Sequence, residues 1–283
     1  MRLAFAGDII FGKGIQQVVR LRGMPFLFEA VTPALRACDW VVANMEGCIA
    51  MVGTPMDKEY TFRAPPELAA TLRWAGIPMV SLGNNHSVDF GVEALQETFH
   101  HLRRAGVWWA GAGYDAQDAS TPVYLDDGRV RVAIFCFTAV VPRGFPAGAK
   151  RAGVATLEML MPRIREARQQ ADVLIAIPHW GDEGKTQPNA KQQRIARRLA
   201  QAGVDLIVGH HPHVVQGYAR MGKTHILYSV GNFVHTPRSA PSRRALLLQA
   251  EVGREGIRSL AAVPLWLENG QPRIAGEALS LYP

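Results

Sequence analysis

The chain has 283 residues, 48% hydrophobic and 19% charged, which is enough to bury a large core and argues against disorder. No apolar run approaches the roughly 18–20 residues that cross a bilayer, and MRLAFAGD at the N-terminus lacks the apolar stretch and cleavage site of a signal peptide, so a cytoplasmic protein without a membrane span is expected. A net charge of +7 favours anionic partners, but the basic residues are scattered, which argues against nucleic acid.

In chain order, Met1 to Ala6 reads as a strand ending at Gly7-Asp8. FLFEAVTPALRAC reads as a helix broken near Pro33, followed by a strand from Trp40 to Ala43 that ends on Asn44-Met45-Glu46-Gly47. Leu68, Leu72 and Ala75 share one helical face, Gly76 stops that helix, Pro78 to Leu82 is extended, and GNNHSVD follows. VYLDDGRVRVAIFCF carries Asp-Gly between alternating strands, the signature of a tight hairpin. The next unit is a helix from Leu157 to Ala171, a strand from Val173 to Ile177, and then Pro178-His179-Trp180-Gly181-Asp182-Glu183. An amphipathic helix from Asn189 to Ala202, closed by Gly203, leads into a strand from Val204 to Val208 and the cluster His210, His211, His213. A strand from His225 to Val230 ends at Gly231-Asn232, His235 to Arg244 is a candidate mobile region, and PLWLENGQPRIA is a second hairpin. The repeated helix–strand order gives an α/β fold with mixed sheets, read as one domain over residues 1–283. Cys38, Cys48 and Cys136 match no zinc or disulfide framework and fit reduced core thiols.

Six of these strands end on polar groups: Asp8; Asn44 and Glu46; Asn84, Asn85 and His86; His179 with Glu183; His210, His211 and His213; and Asn232. Ligands of open α/β sheets bind at the carboxyl ends of strands, so these groups are expected to converge there. Carboxylate, carboxamide and imidazole without thiolate suit Mn, Fe or Zn, and the number of donors allows one or two divalent ions. Trp180 is expected to wall the site.

GDIIFG, NMEG, GNNHSVDFG, HWGDE, GHHPHVVQ and YSVGNF, in this order, resemble the CapA family associated with poly-γ-glutamate capsule synthesis, itself similar to calcineurin-like metallophosphoesterases. The resemblance spans residue 3 to about residue 234. It implies a four-layer α/β/β/α sandwich with metal ligands Asp8, Glu46 in the bridging position, Asn85, His179, His211 and His213. It also implies that His86 acts as a general acid, with Asp89 either orienting it or capping a helix. Asn44, Asn84, Glu183, His210, Asn232 and Arg238 are assigned to substrate contact, with a place behind the ligands as the alternative for His210. Arg238, Lys13, Arg243 and Arg244 are candidate anion contacts, with plain solubility as their alternative.

The chain departs from the superfamily pattern at Ile10, where Asp-x-His would place a ligand, and at Ser87, where Asn-His-Asp would place a carboxylate. The activity expected is metal-dependent phosphoester hydrolysis by activated water. The alternatives are a non-catalytic accessory role in handling a polyanion such as poly-γ-glutamate, and cleavage of γ-glutamyl amides. Capsule members are commonly membrane-tethered, which weighs against an extracellular capsule role for a chain without an anchor. The substrate is expected to be an anionic small molecule or polymer.

Overall fold

The computed structural model describes residues 1–142 and 145–282; Arg143, Gly144 and Pro283 lie outside the described residues. The first sheet has the strand order Gln271–Ile274, Gly256–Glu268, Arg244–Gly253, Arg2–Ile9, Trp40–Met45, Met79–Ser81, Trp108–Ala110. Its half from Arg2–Ile9 to Trp108–Ala110 is parallel, and the half formed by the C-terminal strands is antiparallel. A short strand, Asn232–Val234, runs parallel to the end of Arg2–Ile9. The second sheet has the order Val215–Met221, Thr224–Val230, Leu206–Val208, Val173–His179, Arg131–Thr138, Val123–Asp126, parallel in its centre and antiparallel at both edges.

The layers follow from period-two burial along the central strands. Leu3 and Phe5 join Val132, Ile134, Val173 and Ile175 in a core between the two sheets. Ala4, Ala6 and Ile9 face the opposite way and pack with Leu68, Leu72, Leu95 and Phe99 from the helices Glu67–Ala75 and Gly91–Arg104. On the other flank, Ala133, Phe135, Leu174 and Ala176 pack with Leu160, Ile164, Ile195 and Leu199 from the helices Leu157–Ala167 and Ala190–Gln201. The result is helix, sheet, sheet, helix: the α/β/β/α sandwich. Among the described residues no helix is long and apolar enough to cross a membrane.

Local chemistry accounts for most boundaries. Gly76 adopts φ 91° to end its helix, and Asn189 with Gln192 forms a capping box at the start of Ala190–Gln201. Asn269 and Gly270 both have positive φ, as a two-residue primed hairpin turn requires. The Asp-Gly hairpin differs from expectation. Asp126 pairs with Arg131 across four residues, because the Asp126 and Asp127 carboxylates accept hydrogen bonds from the Gly128, Arg129 and Val130 amides and stabilise a wider loop. The helix from Leu157 ends at Ala167 rather than Ala171, and the Arg168 guanidinium donates to Ala171 O and Asp205 Oδ2 where the chain turns. The segment expected to be mobile contains a helical turn, Ala240–Arg243, capped by the Ser239 hydroxyl.

Candidate metal centre

The strand Arg2–Ile9 continues three residues beyond its predicted end, so Asp8 lies on it, flanked by Asn44 and Asn232 on parallel neighbours. The register slips on both sides of Asp8, and such bulges re-aim side chains next to active sites. Gly7 makes the slip possible, because a Cβ there would lie 2.1 Å from Gly231 O. His211 (φ 95°) and His213 (φ 57°) have left-handed backbones around Pro212, strain of order 1–3 kcal/mol each that persists at functional turns.

The two sheets thus bring their strand ends together. Asp8, Asn44, Glu46 and Asn85 come from the first, and His179, His210, His211 and His213 from the second. Asp8, Glu46 and Asn44 are fully buried, and Asn44 Nδ2 lies 2.9 Å from Asp8 Oδ1, 3.3 Å from Glu46 Oε2 and 3.3 Å from His179 Nδ1. His213 Nδ1 is 3.1 Å from Asp8 Oδ2, and His179 Nε2 is 2.7 Å from Asn85 Oδ1.

Glu46 Oε1 is buried and has no hydrogen-bond partner. Around it stand His179 Nε2 and His213 Nε2, both at 3.6 Å, and His86 Nε2 at 3.9 Å. These separations are too long for hydrogen bonds, but two donors each about 2.1 Å from one ion stand roughly 3–3.5 Å apart. Ligand atoms of Glu46, His179 and His211, of Asp8, Glu46 and His213, and of Glu183, His211 and His213 each form a trio within 4.8 Å. His211 Nδ1 is a second buried, unpartnered donor atom.

The electrostatics lead to the same fit. Burial raises the Asp8 carboxyl, but the His210 and His213 hydrogen bonds outweigh it and hold Asp8 well below the usual carboxylate range. Glu46 is pushed well above that range, first by burial, with His213 opposing and Asp8 adding to it. Burial disfavours a protonated His213, yet Glu46 and Asp8 overcome it and raise this imidazole to about 10. His211 is pushed down to about 4 by burial and then by His213. Removing two carboxylates from water costs several kcal/mol each unless positive charge accompanies them, and divalent cations fit this donor set of carboxylates and imidazoles.

His86 sits at the edge of this group. Its Nδ1 is 2.7 Å from Asp89 Oδ2, which leaves Nε2 facing Glu46. Burial pushes His86 below the ordinary imidazole value, with the Asp89 contact opposing and Lys58 and His213 reinforcing the shift. Asp89 does not cap the helix Gly91–Arg104, whose N-cap Phe90 has no side-chain bond.

Several residues expected at the substrate are instead turned inward. Asn84 is fully buried: its Nδ2 donates to Asn44 Oδ1 and Met45 O, and its Oδ1 accepts from His86 N and the Ser87 hydroxyl. His210 lies behind Asp8, with Nδ1 2.9 Å from its Oδ1. Asn232 Nδ2 donates to His213 O and Ser242 O, while its Oδ1 stands 3.1 Å from His213 Nδ1. Asn44 is enclosed among the ligands as described above. Asn44, Asn84 and Asn232 thus engage both polar side-chain atoms with protein groups, and His210 engages Nδ1. Trp180 does not wall the site. It is fully buried among the helix-side residues of the second sheet and donates from Nε1 to Tyr228 O. Glu183 is exposed at the mouth, and Arg238 is exposed and forms no ion pair with the cluster among the described residues.

With the geometry in place, the comparisons are direct. The model of a family described as bacterial capsule synthesis protein PGA_cap matches residues 2–237. The chain belongs to this family. It is 32% identical over 274 residues to the PGA biosynthesis protein CapA of Bacillus subtilis (strain 168), covering 95% of this chain and 72% of that protein. It is 29% identical over 289 residues to the capsule biosynthesis protein CapA of Bacillus anthracis, covering 99% and 70% respectively. Among solved structures, a novel phosphatase from Mycoplasma pneumoniae superposes with a TM-score of 0.55 at 14% identity, covering 100% of this chain and 93% of that one. A hypothetical protein from Thermus thermophilus gives 0.52 at 18% identity, with both chains fully covered. These last two likenesses concern the fold alone.

The sequence reading of this PGA_cap member missed two residues. Lys58, in an irregular loop with no periodicity to mark it, bonds Asp89. His235 follows the GNF stretch, and its ring stands 6.4 Å from that of His213, with Nδ1 buried and unpartnered. Its position next to a recognised motif was the available signal.

Proposed function

We propose that this chain is a metal-dependent phosphoester hydrolase, and the observation that carries the reading is the unpartnered Glu46 Oε1 with imidazole nitrogens gathered 3.6–3.9 Å around it. Asp8, Glu46, Asn85, His179, His211 and His213 would hold one or two divalent ions, with Mn, Fe or Zn fitting the donors. A bound ion supplies a Lewis acid and lowers the pKa of water toward neutrality. The residues do the rest. Asn44 and His210 hold Asp8 in place, and Asn84 holds Asn44. His86 would protonate the leaving oxygen from Nε2 as a general acid, while Asp89 Oδ2 accepts its Nδ1–H. The net positive charge favours an anionic substrate. The reading treats residues 1–283 as one domain and, with three unbonded thiols, as cytoplasmic.

Elemental analysis of protein purified without chelator, together with hydrolysis of an aryl phosphate, tests this. Metal at one or two equivalents with turnover supports it, and a metal-loaded but inactive chain overturns it.

The relatives named for capsule and PGA biosynthesis favour a second reading, in which the loaded site binds a polyanion such as poly-γ-glutamate in an accessory role. Equilibrium binding to polyglutamate that survives His86→Asn, without release of phosphate or glutamate, would select it. Release of glutamate would instead select amide cleavage.

A further inference from the structure

Asp89 is fully buried, and three donors meet its carboxylate. Lys58 Nζ lies 2.7 Å from Oδ1, while Phe62 N and His86 Nδ1 each lie 2.7 Å from Oδ2. Lys58 Nζ also donates to Asn85 O at 2.9 Å and stands 3.2 Å from His86 Nδ1, so one ammonium touches the residue before His86, the imidazole itself and the carboxylate that orients it. Neither bond is local in sequence: Lys58 comes from an irregular loop that Asp89 also holds through Met56 N, at 2.8 Å from its carbonyl oxygen. The Phe62 ring of the same loop packs on His86 with centroids 4.5 Å apart.

We propose that Lys58 is a positioning residue: by bonding Asp89 Oδ1 and Asn85 O together, it keeps Asp89 Oδ2 on the Nδ1–H of His86 and leaves Nε2 directed at the metal centre. The role rests on the hydrolase reading for its consequence in turnover, but its geometry stands apart from it. An Asp89 carboxylate relieved of Lys58 can rotate, because the Phe62 amide alone does not fix which oxygen His86 meets. His86 then samples the other tautomer, with the proton on the nitrogen that faces Glu46. Lys58 is partly exposed, with 22% of its side chain accessible, so its removal leaves the core intact.

The test uses the full chain, with and without zinc, as wild type, Lys58→Ala and Lys58→Arg. Nitrogen-15 spectra of the histidine rings, with His86 identified by its disappearance in His86→Asn, report which nitrogen carries the proton. The expected result is a single Nδ1–H form in wild type and Lys58→Arg, and a mixed population in Lys58→Ala. With an aryl phosphate, Lys58→Ala is expected to lose kcat about 10–100-fold, a part of what an acid–base group contributes, with KM within about twofold and recovery on adding propylammonium. An unchanged His86 tautomer in Lys58→Ala overturns the proposal whatever the turnover. A changed tautomer in a chain whose wild type is inactive supports the role of Lys58 and counts against the hydrolase instead.

Discussion

Glu46 Oε1 and His213 Nε2 stand 3.6 Å apart at the strand ends, facing each other without a hydrogen bond. One follows a strand of the first sheet and the other a strand of the second, so the pair marks where the sandwich halves meet.

Glu46→Gln keeps the shape of that pair and removes its charge. Metal content measured by elemental analysis is expected to fall by at least one equivalent. In the metal-free variant the stability that His213 contributes is expected to be lost at lower pH than in metal-free wild type, since Glu46 is the leading charge that raises this imidazole. An unshifted alkaline limb with unchanged metal content would contradict both expectations.

The pH dependence of the metal-free protein has two limbs. His213 is raised to about 10, against an ordinary value of about 6.5, so its contribution to stability is complete below about 6.5 and is lost as pH rises through about 10. His211 and His235 are lowered to about 4, so their contribution is complete above about 6.5 and is lost as pH falls through about 4. Thermal melts across pH 4 to 10 in chelator should show a maximum between these limbs. Adding metal should weaken the alkaline limb, because the ion replaces the His213 proton, and calorimetry in two buffers should detect that release.

His86→Asn and Asp89→Asn should separate chemistry from binding. Each is expected to keep its metal while losing about 10²–10⁴-fold in kcat if proton transfer through His86 is the route. Loss of metal in either variant would move His86 from proton carrier to ligand.

His210→Ala removes the bond behind Asp8 without touching the open face of the centre. A fall of about 10–100-fold in metal affinity is expected, the size typical of groups that orient a ligand. An unchanged affinity together with a raised KM would return His210 to the substrate.

Much of the architecture was legible because it rests on local rules. The alternation of Leu3 and Phe5 with Ala4 and Ala6 announces a strand buried on both faces, and Gly76 and Asn189 announce helix ends. The gathering of Asp8, Glu46, Asn85, His179, His211 and His213 was legible from the placement of polar residues after strands, and from motif resemblance. What sequence could not give was direction. Asn84 and Asn85 are adjacent, but the first braces Asn44 and the second faces His179, a difference set by the turn and by the strands beside it. Trp180 follows His179 and points into the opposite layer for the same period-two reason. Lys58 was invisible because its partners lie 27 to 31 positions away and its loop has no pattern.

The division of the candidate ligands between the sheets has a consequence for assembly. The first half sets Asp8 and Glu46 beside a single imidazole, His86, and the second sets His179, His211 and His213 beside a single exposed carboxylate, Glu183, so the buried mixture of both kinds exists only once the halves have met. An ion bound there would act as a rivet through two plates already brought together, and its residence time would report how firmly they stay closed.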